Sequence, residues 1–188
     1  MQFLSFINWY SFFSGEDSNV RNMKTRQQDK TIEVLNDLLK INTDRADGYS
    51  LAIQETRDAD LKIIFRNMAE ESKKNLSDLS RAILKLDGDP KFGENTVAGK
   101  IYHVWMELKT SFTGKDRQSI LNSCEFGEDA AVKAYKSAIQ EQDLITEAFD
   151  LIYRQAQLQR ASHDVIKAYR DANLKIRKTE YDVHRTAR

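Results

Sequence analysis

A seven-residue string occurs twice in this chain in closely similar form. Tyr49-Ser-Leu-Ala-Ile-Gln-Glu55 and Tyr135-Lys-Ser-Ala-Ile-Gln-Glu141 each close a long stretch of helical spacing, and a short turn follows each. The segments beyond the turns match as well, Ile64-Phe-Arg66 against Ile152-Tyr-Arg154. Similarity at this scale means that one supersecondary unit is used twice, and here the unit is a helical hairpin. Two hairpins with the same apolar face bury it against each other, which makes a four-helix bundle.

The rest of the chain agrees. One proline and seven glycines in 188 residues leave long uninterrupted stretches, and 31% charged residues with much Leu, Ala, Glu, Lys and Gln favour an all-α protein of one domain. The first helix is predicted from about Asp29 to Thr56, with Ile32, Leu35, Leu39, Ala46, Tyr49 and Ile53 on one face. Asp58 is placed to cap a second helix, whose stripe runs Leu61, Phe65, Met68, Ser72, Asn75, Leu79, Ala82 and Leu86 until Gly88 and Pro90 stop it. A crossover through residues 87–115 then carries a short extra helix from Thr96 to Phe112, in which His103 and Trp105 read as packing. Asp116 opens the third long helix, with Leu121, Cys124, Glu128, Ala131, Tyr135 and Ala138 inward. Asp143 is placed to cap the fourth, with Phe149, Ile152, Ala156, Gln159, His163, Ile166 and Arg170 in series. The expected organisation is therefore an apolar extension and linker over 1–24, the bundle over 25–172 and a basic, fraying tail over 173–188.

Setting the two repeats in register places Asn42 against Glu128, Glu71 against Gln159, and Asn75 against His163, all near mid-helix. Helices of about 28 residues span on the order of 40 Å, so every apolar stripe is interrupted at a similar height. A polar layer through the core follows. Buried polar groups are costly unless paired, so Asn42, Glu71, Asn75, Glu128, Gln159 and His163 are expected to bond one another, water or an ion.

A family resemblance enters on these residues. The doubled hairpin with its crossover resembles the ferritin-like superfamily, in which inward carboxylates and histidines hold two metal ions. The string His103-x-Trp105-x-x-Leu108-Lys109, then Ile120-Leu121, then Cys124-Glu125-x-Gly127-Glu128-Asp129-Ala130-Ala131-x-Lys133-Ala134-Tyr135, and Ser162-His163-Asp164 is similar to a bacterial ferritin-like family of four-helix-bundle proteins of unknown function. The likeness covers roughly residues 29–172 and implies the fold, with little about activity. Metal-binding members of the superfamily carry a Glu-x-x-His motif on each of two helices, and here the corresponding strings are Glu71-Ser-Lys-Lys74 and Gln159-Arg-Ala-Ser162, with Asn42 where a Glu is wanted. What remains is Glu71, Glu125, Glu128 and His163, a set of oxygen and nitrogen ligands suited to one iron or manganese ion and short of a di-iron centre. A hydrogen-bonded layer that fixes helix register is the favoured reading, with no cofactor and no catalysis, and a metal-binding oxidoreductase or storage protein is its alternative.

Composition narrows the partners. A net charge of zero gives no electrostatic reason to expect nucleic acid. The lone Cys124 can form no internal disulfide and suits a reducing, cytoplasmic setting. Met1 to Ser14 is apolar and aromatic but shorter than the roughly 20 residues of a spanning helix. Met23 is an alternative initiator that would make the preceding segment an upstream extension, and the competing reading is a docking helix with Phe3, Phe6, Ile7, Tyr10 and Phe13 on one face, able to meet a partner or a membrane surface. Residual apolar surface positions Val34, Leu38 and Leu51 leave room for a homo-oligomer or a protein partner.

Overall fold

The computed structural model describes residues 6–92 and 116–186. Four helices form an antiparallel bundle: α1 (Phe6–Glu55), α2 (Ala59–Lys85), α3 (Arg117–Gln140) and α4 (Thr146–Thr186). The crossover helix expected over 96–112, with His103 and Trp105, lies outside the described residues, as do the side chains of Phe3, Phe6, Ile7, Tyr10 and Phe13. Among the described residues no helix is long and apolar enough to cross a membrane.

Polar contacts at the two ends fix the topology. At one end Arg117, opening α3, donates Nη1 to Asp58 and Asp60 at 2.9 Å each, just ahead of and within the start of α2. At the other, Lys30 of α1 lies 3.6 Å from Glu141, and the Ile145 N–H bonds Thr31 Oγ1 at 3.1 Å. Helices α2 and α3 therefore run parallel. Both Asp58 and Asp116 precede their helices in extended backbone without making a side-chain cap, because Arg117 holds the first and Arg177 the second. Asp143 does not cap α4 either. It sits at φ 62° in the turn, and the helix begins at Thr146. The end of α2 is as expected: Asp87 takes φ 54°, and Gly88 N–H reaches back to Ile83 O at 3.0 Å, so close to α1 that a Cβ on Gly88 would lie 2.9 Å from an Ile32 methyl.

Two expectations change. Residues 15–24, read as linker, are part of α1, since one glycine costs only about 1 kcal/mol in a helix and Arg21, Met23, Lys24, Arg26 and Gln27 are good helix formers. The basic tail does not fray after Ala172. It continues α4 to Thr186, pinned to the start of α3 by Asn173 on Gln118 at 2.7 Å and Arg177 on Asp116 at 3.0 Å.

The core is divided in two. One apolar cluster holds Leu35, Leu39, Leu79, Ile83, Tyr135 and Ile152, and the other holds Tyr49, Leu61, Phe65, Leu121, Cys124 and Ile166. Polar side chains from all four helices lie between them.

Candidate functional site

Arg45 stands at the centre of this layer, and its side chain is completely buried. Its Nε and Nη2 donate to Glu128 Oε1 at 3.0 and 2.8 Å, while Nη1 donates to Ser72 Oγ at 3.0 Å and to Glu71 Oε1 at 3.5 Å. Tyr49 O–H donates to the same Glu128 oxygen at 2.5 Å, and Gln159 Nε2 donates to Glu128 Oε2. Glu128, itself fully buried, thus receives four donors, about as many as a carboxylate has lone-pair directions. The Arg45 and Glu128 charges are thus paired with each other inside the bundle.

The repeat explains the layout. In the registration that pairs Tyr49 with Tyr135 and Asn42 with Glu128, the Tyr49–Glu128 contact maps onto a contact between Tyr135 and Asn42. That contact is present: Asn42 Nδ2 donates to the Tyr135 oxygen at 2.7 Å, and Tyr135 O–H donates to Gln155 Oε1 at 2.8 Å. Asn75 completes this neutral half, donating to Asn42 Oδ1 at 3.2 Å. The charged half differs because Arg45 corresponds to Ala131, and the small residue leaves room for one guanidinium in the middle.

Protonation follows from burial. Burial and the neighbouring Glu128 charge hold the Tyr49 phenol well above its usual range, so it remains a donor. Burial raises Tyr135 likewise, and it raises the Cys124 thiol, with Glu128 adding to the effect, so the cysteine is no nucleophile at neutral pH. Burial alone would lower the Arg45 pKa, but Glu128, Tyr49 and Glu71 more than offset it and keep the guanidinium charged.

Of the residues expected in the layer, Asn42, Asn75, Glu128 and Gln159 meet there. The four considered as metal ligands are not brought together. Glu71 lies at the rim, 24% exposed, bonded to Arg45 and to Ser162 Oγ at 3.0 Å. Glu125 turns toward α4 and pairs with Arg170. His163 lies between two surface carboxylates, Nδ1 2.9 Å from Asp164 and Nε2 3.0 Å from Asp129. Spacing places these side chains on the right helices, but Glu71 and Glu128 meet at Arg45 while Glu125 and His163 have partners of their own. Among the described residues no group of three or more His, Cys, Asp or Glu side chains could hold a metal ion. Arg45, Ser72, Gln155 and Ser162 complete the network, and the sequence signal for Arg45 is its place three residues after Asn42 and four before Tyr49.

Asp44 is a buried carboxylate on α1, and its Oδ2 has no hydrogen-bond partner among the described residues. Burial pushes its carboxyl from 3.8 up to about 6, with Lys40 opposing and Asp47 adding. The folded state therefore holds a proton that the unfolded chain releases between about pH 4 and 6, so stability falls as pH rises through that window and then levels off. Asp44→Asn is expected to remove this slope and raise stability at pH 7 by about 1–2 kcal/mol, read as a higher urea midpoint at pH 7 and little change at pH 4.

The architecture is shared with solved structures. A bacterioferritin-related protein from Bacteroides fragilis, described as a dodecameric thioferritin, superposes with TM-score 0.67 at 17% identity, covering 87% of this chain and 98% of its own. A variant of Dps1 from Mycobacterium smegmatis gives TM-score 0.67 at 13% identity, covering 77% of this chain and 97% of its own. At these identities the likeness shows the fold, which is ferritin-like. No curated protein matches the chain in sequence. The model of the family described as domain of unknown function DUF2383 matches residues 30–141, more than half of the sequence, and the chain therefore belongs to that family.

Proposed function

We propose that this protein is a non-catalytic ferritin-like bundle whose centre is held by the Arg45 guanidinium in place of a metal ion, and that it acts through self-association or a protein partner. One observation carries the reading: the fully buried Arg45 donates three hydrogen bonds into Glu128 and Ser72, two of them to the Glu128 oxygen that also accepts from Tyr49. A divalent ion placed there would meet a fixed positive charge within bonding distance of its best ligand, so the donor set does not fit it. The register of four helices is what such a network fixes, at the expense of desolvating a charge pair. The dodecameric assembly of the bacterioferritin-related protein supports self-association of this chain too. A lone, buried, unpaired Cys124 supports a reducing, cytoplasmic setting.

The alternative is a metal-binding storage protein or oxidoreductase using iron or manganese at Glu71, Glu125, Glu128 and His163. It draws on the buried Gln159 Oε1, which has no hydrogen-bond partner among the described residues. Elemental analysis of untagged protein, with urea unfolding in the presence and absence of EDTA, separates the two. We expect no stoichiometric metal and one urea midpoint under both conditions. Stoichiometric iron or manganese that disappears in both Glu128→Ala and His163→Ala would establish the alternative.

A further inference from the structure

Helix α4 carries two series of residues at seven-residue intervals. The side toward the core holds Ile152, Gln159 and Ile166, all fully buried. The residues just before them, Leu151, Leu158 and Val165, form a second series, which Ala172 continues. One residue is about 100° around a helix, so the second series turns away from the core. Leu158 and Val165 are 46% and 41% exposed, and Ala161, Ala168 and Ala172 are exposed beside them. The chain leaving α2 runs elsewhere. Asn36 of α1 donates to Asp89 O at 3.2 Å and accepts from Lys91 N–H at 2.8 Å, and α1 lies diagonally across the bundle from α4. An apolar strip on the outer side of a helix already packed on its inner side is surface for a partner.

The charges beside the strip say what that partner is. Glu147 and Asp150 stand near the start of α4, and Lys175 and Lys178 near its end, all four exposed. Acid first and base last is also the order that the helix dipole favours, but only within the first and last turns. Arg154 and Asp171 lie beyond that reach and follow the opposite order. Both orders are satisfied at once by a second α4 laid antiparallel on the first. Asp150 is then level with Lys175 of the second copy, and Arg154 with its Asp171. A parallel pairing would set each of these charges against itself.

We propose that α4 of a second copy packs antiparallel along this strip, about a two-fold axis level with residues 161–163. The inference rests on the reading of the protein as self-associating, and it names the surface and its direction. Leu158 is then level with Val165 of the second copy and Leu151 with its Ala172, while the alanines let the two helices approach closely. The same strip serves both copies, so the contact is isologous and closes at a dimer. From Asp150 to Lys175 the strip is about 38 Å long and about 12 Å wide. Over both copies it buries on the order of 1,000 Å², the lower bound of a specific interface.

Sedimentation velocity on the full-length protein tests it. Leu158→Glu with Val165→Glu sets like charges against each other at exposed positions and is expected to lower the assembly mass, with thermal melts unchanged. Asp150→Lys is expected to weaken association about tenfold, and adding Lys175→Asp, which restores opposite charges in reversed order, to recover it. Direction is read by oxidation. Leu151→Cys is expected to form no disulfide with its own kind, since the two positions lie about 30 Å apart, yet to crosslink when mixed with Ala172→Cys. That readout decides the matter even where the glutamate substitutions impair folding. A folded Leu158→Glu, Val165→Glu protein of wild-type assembly mass would overturn the contact while leaving self-association standing, and a wild-type monomer at about 100 μM would overturn both. A Leu151→Cys protein that crosslinks to itself would overturn the antiparallel direction. A wild-type monomer that co-sediments with phosphatidylcholine–phosphatidylglycerol vesicles, with binding lost on Leu158→Glu and Val165→Glu, would assign the strip to a membrane surface instead.

Discussion

Replacing Arg45 with alanine is expected to lower stability by about 3–5 kcal/mol, because it strands a carboxylate inside the bundle. Glu128 would keep only Tyr49 and Gln159 as donors, and Ser72 would lose the guanidinium that it accepts from. The removed side chain leaves a cavity between two well-packed apolar clusters, which adds to the loss. Arg45→Lys keeps the charge but cannot present Nε and Nη2 together to one carboxylate, so its cost should fall between wild type and alanine. Urea unfolding at pH 7, followed by circular dichroism, measures both. An Arg45→Ala protein with the wild-type midpoint would show that the pair contributes nothing and would remove the basis for treating the guanidinium as the centre of the layer.

That Arg45 is the crux of the site was hard to read from sequence, and the reason is physical. An arginine at helical spacing with Asn42 and Tyr49 is ordinarily read as a long side chain that carries its charge out to water. Only Ala131, opposite it in the repeat, signals the space to do otherwise. The fold, by contrast, was legible because the repeated hairpin and the three-four spacing are local signals that each apolar stripe repeats several times. The layer was legible for a related reason: Asn42, Asn75, Glu128 and Gln159 interrupt those stripes at one height. Glu125 and His163 show the limit of such reasoning. Each is about 60° or less around its helix from a residue that does enter the layer, and that rotation is enough for Glu125 to meet Arg170 and for His163 to meet Asp129. Periodicity gives the inward face, but which neighbouring helix lies on each side of it depends on packing. The continuation of α1 and α4 through residues 15–24 and 173–186 is hard to read because these polar segments lack an apolar stripe, although their composition suits a helix.

Glu128→Ala should be at least as damaging as the arginine change, again about 3–5 kcal/mol, since it leaves a buried cation together with two stranded donors, Tyr49 O–H and Gln159 Nε2. Glu128→Gln keeps an acceptor at the same place and should cost less, with the unpaired guanidinium charge as the main loss. The informative companion is the double replacement Arg45→Met with Glu128→Leu, which removes both charges and fills the space with apolar atoms. Buried ion pairs exchanged in this way are often neutral or stabilising, so the double variant should recover to within about 1–2 kcal/mol of wild type, less the cost of the unpaired Tyr49 hydroxyl. Stability would then be restored while the feature that distinguishes one helix register from another is gone. Near-wild-type stability with broadened amide resonances in the double variant would identify the pair as a device for specifying one packing of four helices. A double variant as unstable as either single change would mean instead that the ion pair is itself a net source of stability.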